Sequence, residues 1–127
     1  MGKLNKILHI EDDPDILEIS LMVLESIGGF TVEQCSSGKD SLTKAPQFLP
    51  DLILLDVMMP GMNGLETLKA LRQLPETENT PIIFMTAKVQ PGEVKKYLSQ
   101  GAVAVITKPF DPITLSDQLV KVWNGLS

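Results

Sequence analysis

Five short apolar runs recur along the chain, and each is followed by a stretch whose apolar residues have helical spacing. The predicted strands are Lys6–Ile10, Phe30–Cys35, Asp51–Asp56, Ile82–Met85 and Ala102–Thr107. Strands that alternate with helices pair in parallel, because each helix carries the chain back to the same end of the sheet. Nearly continuous apolar runs are typical of strands covered on both faces. The sequence therefore predicts one doubly wound α/β domain over residues 1–127, with five parallel strands and helices on both sides.

Prolines, glycines and capping side chains set the predicted helix boundaries. Asp13 is the predicted cap of the first helix, Pro14 lies in its first turn, and Gly28 and Gly29 end it. Along this segment Ile16, Ile19, Val23 and Ile27 fall at helical spacing. The next three helices are predicted over Gly38–Ala45, around Leu65, Leu68 and Leu71, and over Glu93–Gln100. The last helix is predicted to start at the cap Asp111, with Pro112 at its first position.

Net charge and cysteine content exclude several classes of protein. The net charge of the 127-residue chain is -5, which disfavours non-specific binding to nucleic acids and to anionic membrane surfaces. No apolar run approaches the roughly 18 residues of a membrane span, so no membrane insertion is expected. Cys35 is the one cysteine, so an internal disulfide is impossible.

Polar side chains follow the predicted strands at the point where each strand ends. The residues at these positions are Glu11, Asp12, Asp13, Asp56, Thr86, Thr107 and Lys108. Parallel strands bring their carboxyl ends to one edge, where ligands bind in such sheets. Clustered carboxylates repel one another or require a cation, and oxygen ligands suit Mg2+. A carboxylate can also act as a nucleophile and form an acyl phosphate. The edge therefore suits a phosphoryl group on Asp56, whose charge Mg2+ and Lys108 would offset.

Four segments in register carry a resemblance to a known family. They are "ILHIEDDPDI", "PDLILLDVMMPGMNGLE", "PIIFMTA" and "GAVAVITKPFDPITL". Over nearly its whole length the chain resembles the receiver domain of bacterial two-component response regulators. The resemblance implies the flavodoxin-like strand order 2-1-3-4-5 and makes Asp56 the expected phospho-acceptor.

The resemblance also assigns roles at the predicted site. Asp12 and Asp56 are expected to bind Mg2+, or Mn2+ in its place, directly, with Glu11 acting through water. The backbone carbonyl of Met58 is the further expected ligand. Thr86 is expected to contact the phosphoryl oxygens and Lys108 to pair with the phosphate. The Lys108–Pro109 bond is expected to be cis.

Three positions bear on how such a switch would work. Val105 stands where the family often has an aromatic residue, which puts a threonine–aromatic switch in question. Met58 and Lys88 occupy positions that tune phosphate lifetime in the family. A methionine cannot align an attacking water by hydrogen bonding, so slow hydrolysis is expected.

The family implies a regulatory role in the cytoplasm, with proteins as partners. Such a switch catalyses only its own phosphorylation and dephosphorylation and is not otherwise expected to be an enzyme. The phosphoryl donor is expected to be a phosphohistidine on a sensor kinase or a phosphotransfer protein. An effector protein or domain is the expected output, with Lys95, Lys96 and Tyr97 as candidate contacts. A homodimer on phosphorylation is a further expectation. The sequence leaves open whether the receiver stands alone or belongs to a longer protein.

Three alternatives remain beside this hypothesis. An aspartyl phosphatase of the haloacid dehalogenase type needs a second aspartate two residues after the nucleophile, where this chain has Met58. A flavodoxin-like cofactor site needs Ser, Thr and Gly after the first strand, where this chain has "EDDPD". A receiver that binds partners without phosphorylation would not need the full set of acidic, hydroxyl and lysine residues.

The side chains of several other residues are interpreted as packing groups and not as ligands or reactive groups. They are His9, Cys35, Met58, Met59, Met62 and Trp123. Cysteine and methionine commonly fill apolar interiors, and His9 lies inside a predicted strand with no metal-type side chain paired to it.

Overall fold

A computed structural model describes residues 2–126, in which strands and helices alternate five times. The strands are β1 (Lys6–Ile10), β2 (Thr31–Cys35), β3 (Leu52–Asp56), β4 (Ile82–Thr86) and β5 (Ala104–Thr107). The helices are α1 (Pro14–Ser26), α2 (Gly38–Phe48), α3 (Gly64–Arg72), α4 (Pro91–Ser99) and α5 (Leu115–Asn124). All neighbouring strands pair in parallel in the order β2-β1-β3-β4-β5, which confirms the predicted fold and strand order.

The register of the sheet decides which residues meet at its carboxyl edge. Ile10 of β1 pairs with Leu55 of β3, so the residues that follow them, Glu11 and Asp56, lie side by side. The backbone N–H of Lys108 donates to the carbonyl of Thr86 at 2.9 Å, which continues the pairing of β4 with β5 beyond the strands. Charged and polar side chains are therefore gathered by backbone pairing.

Alternate residues of the central strands face two separate apolar cores. On one side Ile53, Leu55 and Phe84 pack with residues of α2, α3 and α4. On the other side Leu54 and Ile83 pack with residues of α1 and α5. Every residue of β3 and β4 is buried, because helices cover both faces of these strands.

Helix α1 begins as predicted, but not all of its regularly spaced apolar residues are buried. The Asp13 side chain accepts hydrogen bonds from the first-turn N–H groups, the closest at 2.9 Å, and Pro14 starts the helix. Val23 is buried, whereas Ile19 and Ile27 are 41% and 52% exposed. The stripe that faces the sheet contains a buried serine, Ser20, whose hydroxyl contacts a polar group of β1.

Helices α2 and α5 differ most from the predicted boundaries. Helix α2 runs three residues past Ala45 and includes Pro46. The helix ends at Leu49, whose backbone is in the left-handed conformation. Helix α5 begins at Leu115. The prediction that Asp111 caps this helix and that Pro112 is its first residue was therefore wrong. The Asp111 side chain accepts from the N–H of Ile113 at 2.9 Å, so it stabilises a turn ahead of the helix.

Of the helices within residues 2–126, none has both the length and the apolar character needed to cross a bilayer.

Candidate functional site

Asp56 ends the central strand β3 and is buried, with 1% of its surface exposed. One carboxylate oxygen, Oδ1, accepts from the backbone N–H of Met58 at 3.3 Å and lies 3.2 Å from Nζ of Lys108. The other oxygen, Oδ2, is buried and has no hydrogen-bond partner. A buried polar atom without a partner costs free energy, so Asp56 is a group whose environment is incomplete.

Glu11 lies next to Asp56 and is fully buried. Its Oε1 atom lies 2.8 Å from Nζ of Lys108, and its Oε2 atom accepts from the N–H of Asp13 at 3.2 Å. Burial raises the pKa of Glu11 to about 7; the hydrogen bond from Lys108 opposes this rise, and neighbouring Asp56 adds to it. Near neutral pH the Glu11 carboxyl is therefore close to the balance between its protonated and charged forms.

Lys108 bridges the two buried carboxylates. Burial alone would lower its pKa, but the hydrogen bond that Lys108 donates to Glu11 and the charges of Glu11 and Asp56 outweigh burial and raise it. The side chain is 19% exposed, so its ammonium lies at the boundary between the acidic cluster and solvent. The Lys108–Pro109 bond is cis, as the resemblance implied.

Three carboxylates can converge on one point at this edge. Glu11, Asp12 and Asp56 each offer an oxygen, and the three atoms lie within 4.8 Å of one another. Asp12 is exposed, whereas the other two are buried, so the cluster opens to solvent on one side. Oxygen donors in this number fit a hard divalent cation, and the unpartnered Oδ2 of Asp56 is one donor still available.

The loop after β3 is held close to Asp56 by the start of α3. Asn63 and Glu66 form a reciprocal capping box, and the N–H of Gly64 donates to the carbonyl of Val57 at 2.9 Å. A Cβ atom at Gly64 would lie 2.5 Å from the carbonyl oxygen of Asp56 and 2.7 Å from Cα of Val57. Only glycine allows this close approach of the backbone. The sequence analysis did not identify Gly64 as a residue that positions the site, although it lies eight residues after Asp56 in the quoted segment.

Thr86 ends β4 and is buried, but its hydroxyl faces its own following loop. Its Oγ1 atom accepts from the backbone N–H of Lys88 at 3.1 Å. The structure thus brings Glu11, Asp12, Asp56 and Lys108 into one cluster and leaves Thr86 at its border. The backbone of Met58 also belongs to the cluster through its N–H group.

The sequence profile of the response regulator receiver domain matches residues 7–120. The chain belongs to the response regulator receiver domain family. It is 37% identical over 107 residues to the DNA-binding response regulator MtrA of Mycolicibacterium smegmatis, covering 84% of this chain and 45% of that protein. It is 32% identical over 119 residues to the histidine-protein kinase BarA of Escherichia coli, covering 94% of this chain and 13% of BarA. The chain therefore spans less than half the length of these relatives.

A solved structure agrees with this assignment. The chemotaxis protein CheY4 of Vibrio cholerae superposes with a TM-score of 0.86 at 33% identity, covering 94% of this chain and 98% of that one. CheY4 and the receiver described here are similar over nearly their whole lengths.

Two side chains of this receiver differ from what the sequence predicted for them. Met58 is 59% exposed, so its assignment as a space-filling residue under the loop was wrong, whereas Met59 is buried. Tyr97 was a candidate surface contact, but it is buried and packs edge-on against Phe84, with ring centroids 5.5 Å apart. Lys95 and Lys96 are exposed on α4. An aromatic pair therefore lies beneath α4 in a receiver that has Val105 at the usual aromatic position.

The packing interpretations of Trp123, Cys35 and His9 are confirmed, whereas Met62 is only partly buried. Trp123 is buried and its Nε1–H donates to the carbonyl of Gly2 at 2.8 Å. Cys35 is buried, and burial raises the pKa of its thiol to about 12. His9 is buried beside Ser20, with Nδ1 and the hydroxyl oxygen 2.8 Å apart.

Proposed function

We propose that this receiver, spanning the chain, takes a phosphoryl group from a phosphohistidine onto Asp56 and signals through a change of conformation. The observation that carries the proposal is the carboxylate of Asp56, which is buried at the sheet edge, lies 3.2 Å from an ammonium and keeps one oxygen unpartnered. A nucleophile needs a free lone pair and nearby positive charge to accept a phosphoryl group. Asp56 has both.

The chemical step uses one oxygen of Asp56. That oxygen attacks phosphorus, the bond from phosphorus to the donor nitrogen breaks, and an acyl phosphate forms. Lys108 already lies between Glu11 and Asp56, so its ammonium can stabilise the added negative charge without a large movement. Thr86 would exchange its contact with the N–H of Lys88 for a phosphoryl oxygen. That exchange would move the loop after β4 and so shift the two-state equilibrium of the distal surface.

The residues present fit Mg2+, with Mn2+ as an alternative. Asp12 and Asp56 would hold the ion directly, Glu11 would act through water, and the Met58 carbonyl would complete the protein ligands. When bound, the ion neutralises charge on the carboxylates and on the phosphoryl oxygens. The environment of Glu11 supports metal binding. Its pKa is raised by burial and by neighbouring Asp56, and a bound cation would offset the repulsion between the two carboxylates.

The proposed partners are proteins. A sensor kinase or phosphotransfer protein would supply the phosphoryl group, and an effector protein or attached domain would read the output, with a homodimer on phosphorylation as one form of it. Direct nucleic-acid binding is not proposed, because the net charge of the chain is -5. The proposed compartment is the cytoplasm, as the resemblance implies, and the proposed role is regulatory.

Intact mass after incubation with Mg2+ and acetyl phosphate tests the proposal. We expect a gain of roughly 80 Da in the wild type, because one phosphoryl group is added. The gain should disappear in Asp56→Asn and after chelation of the metal. Asp117→Asn, which removes an exposed carboxylate on α5, is the matched control and should keep the gain.

Two results would contradict the proposal. A gain that survives in Asp56→Asn places the phosphoryl group elsewhere. If the wild type gains no mass from acetyl phosphate or from a phosphorylated kinase, the chain is a phosphorylation-independent binding module.

A further inference from the structure

A groove of about 520 Å³ lies beside the acidic cluster, between the loop after β3 and helix α4. Its lining includes the buried side chains of Met59 and Tyr97 and the exposed side chain of Met58. Ligand-binding clefts commonly measure about 300–1,000 Å³ and are lined mostly by apolar groups. The groove has both properties. The chemistry proposed for Asp56 uses backbone groups of Met58 and Lys88, but none of the side chains that line the groove.

The charged residues of the groove are unbalanced. Lys88, Lys96 and Glu93 line it, so two ammonium groups face one carboxylate. Among residues 2–126 none of these three has an ion-pair partner within 4.0 Å, since the ion pairs found there involve Lys44 and Lys108. The charged side chains that line the groove therefore carry a net charge of +1, whereas the whole chain carries -5.

We propose that this groove binds a small organic anion, in which a carboxylate is attached to an aromatic or aliphatic body of about ring size. The apolar body would lie on Met59 and Tyr97, and the carboxylate would lie towards Lys88 and Lys96. Charge complementarity selects an anion over a neutral molecule of the same shape. The volume of about 520 Å³ lies in the range of small-molecule clefts, which favours a small molecule over an extended peptide.

The groove also contacts the two loops that reach the acidic cluster. The N–H of Met58 donates to Asp56, and the N–H of Lys88 donates to Thr86. An occupant that touches both side chains restrains both loops in the conformation described here. This second part of the inference rests on the proposed function: the anion should slow phosphorylation of Asp56, whereas binding itself needs no phosphorylation.

Tyr97 supplies a single-site probe of binding, because it is the one tyrosine in the chain. Replacing it with 3-fluorotyrosine gives one protein fluorine resonance, which can be followed during titration with 4-phenylbutyrate. We expect a saturable shift, with affinity at least about fivefold weaker for the neutral 4-phenylbutanamide, because an amide loses the attraction to the lysines. A shift that grows linearly without saturation, or equal affinities for the two compounds, overturns the proposal.

Matched lysine variants locate the anion. Lys88→Gln and Lys96→Gln should each weaken 4-phenylbutyrate binding by roughly two- to five-fold, the range expected for a partly exposed charge pair. Lys95→Gln, which changes an exposed lysine of α4 that does not line the groove, should leave the affinity unchanged. An equal loss in Lys95→Gln means that only the net charge of α4 matters and overturns the assigned site.

Binding and the proposed phosphorylation can fail independently. Asp56→Asn should bind 4-phenylbutyrate as well as the wild type does, since Asp56 does not line the groove. Saturable binding to a chain that acquires no phosphate leaves the anion site standing and removes only the coupling. Phosphorylation that proceeds at the same rate with the groove saturated removes the coupling in the same way.

Discussion

Asp56 and His9 lie in neighbouring central strands, and each leaves one buried side-chain atom without a hydrogen-bond partner. His9 lies in the middle of β1, where Nδ1 contacts the hydroxyl of Ser20 and burial lowers the pKa of the ring to about 3. Its ring is therefore neutral at physiological pH, and its unpartnered Nε2 is a cost of packing. Asp56 lies at the strand end, where a lysine and two further carboxylates converge.

The two regions differ in the groups that surround the unpartnered atom. An unpartnered buried atom occurs in both places, so it is not sufficient by itself. At Asp56 it coincides with opposite charge, with other oxygen donors and with an opening to solvent through Asp12. At His9 the described residues provide one hydroxyl contact, from Ser20, and no ion pair. Convergence of several groups, and not burial alone, separates a candidate reaction centre from a packing compromise.

Acid should reveal the cost of burying His9, and this is the largest effect we expect. The pKa is about 3 in the folded chain against an ordinary value of 6.5, so below 6.5 protons bind the unfolded chain first. The contribution of His9 to the free energy of unfolding is fully present above pH 6.5. It falls by about 1.4 kcal/mol per pH unit as the pH drops towards 3. Urea unfolding of the wild type and of His9→Val between pH 7 and 4 measures it. Equal slopes in the two proteins would show that His9 does not titrate in this way.

The position of Asp56 should depend on the glycine that follows it. Gly64→Ala places a Cβ atom 2.5 Å from the carbonyl oxygen of Asp56, and backbone must shift to accommodate it. We expect a loss of about 1–3 kcal/mol in the free energy of unfolding, the usual range for overpacking. Gly92→Ala is the control, because a Cβ atom there meets nothing within 4 Å. A stable Gly64→Ala protein with unchanged metal binding would argue against a role for close packing in placing Asp56.

Removing the cation between the carboxylates should be less costly. Lys108→Met leaves Glu11 and Asp56 facing each other without a positive charge, and we expect to lose about 1–2 kcal/mol at pH 7, below the range for a fully buried pair. Adding Asp56→Asn should recover part of the loss, because the repulsion is removed. A double-mutant cycle measured by urea unfolding gives the coupling energy. Strictly additive losses would mean that Lys108 does not interact with Asp56.

Mg2+ should stabilise the fold through the carboxylates around Asp56 and not through the region around His9, and this is the smallest effect we expect. Mg2+ at about ten times its dissociation constant should stabilise the fold by about 1.4 kcal/mol, because it binds the assembled carboxylates and not the unfolded chain. Thermal unfolding with and without Mg2+ measures the effect. Asp12→Asn should abolish it without disturbing packing, since Asp12 is exposed. His9→Val should respond to Mg2+ as the wild type does, and a lost response there would contradict the separation of the two regions.

The fold and the position of the cluster could be predicted because they depend on local patterns. Each strand ends where its apolar run meets a polar residue, and parallel pairing brings those ends to one edge. Glu11, Asp56 and Lys108 were therefore identified from sequence, and the structure brings them within ion-pair distance.

The rest depends on contacts that no local pattern encodes. The burial of Tyr97 depends on the Phe84 ring beneath it, and the need for glycine at position 64 depends on the backbone of Asp56. Ile19 fits the helical period of α1, yet the helix turns Ser20 towards His9 and leaves Ile19 exposed. Asp111 has the right chemistry for a cap but stabilises a turn, because the helix starts only at Leu115.

The ion pair between Glu11 and Lys108 joins residues 97 positions apart. A chain still being synthesised holds Glu11 and Asp56 long before it holds Lys108, and β5 cannot dock before it has been made. The two buried carboxylates therefore meet their ammonium partner only after most of the chain has been synthesised and the fifth strand has joined the sheet.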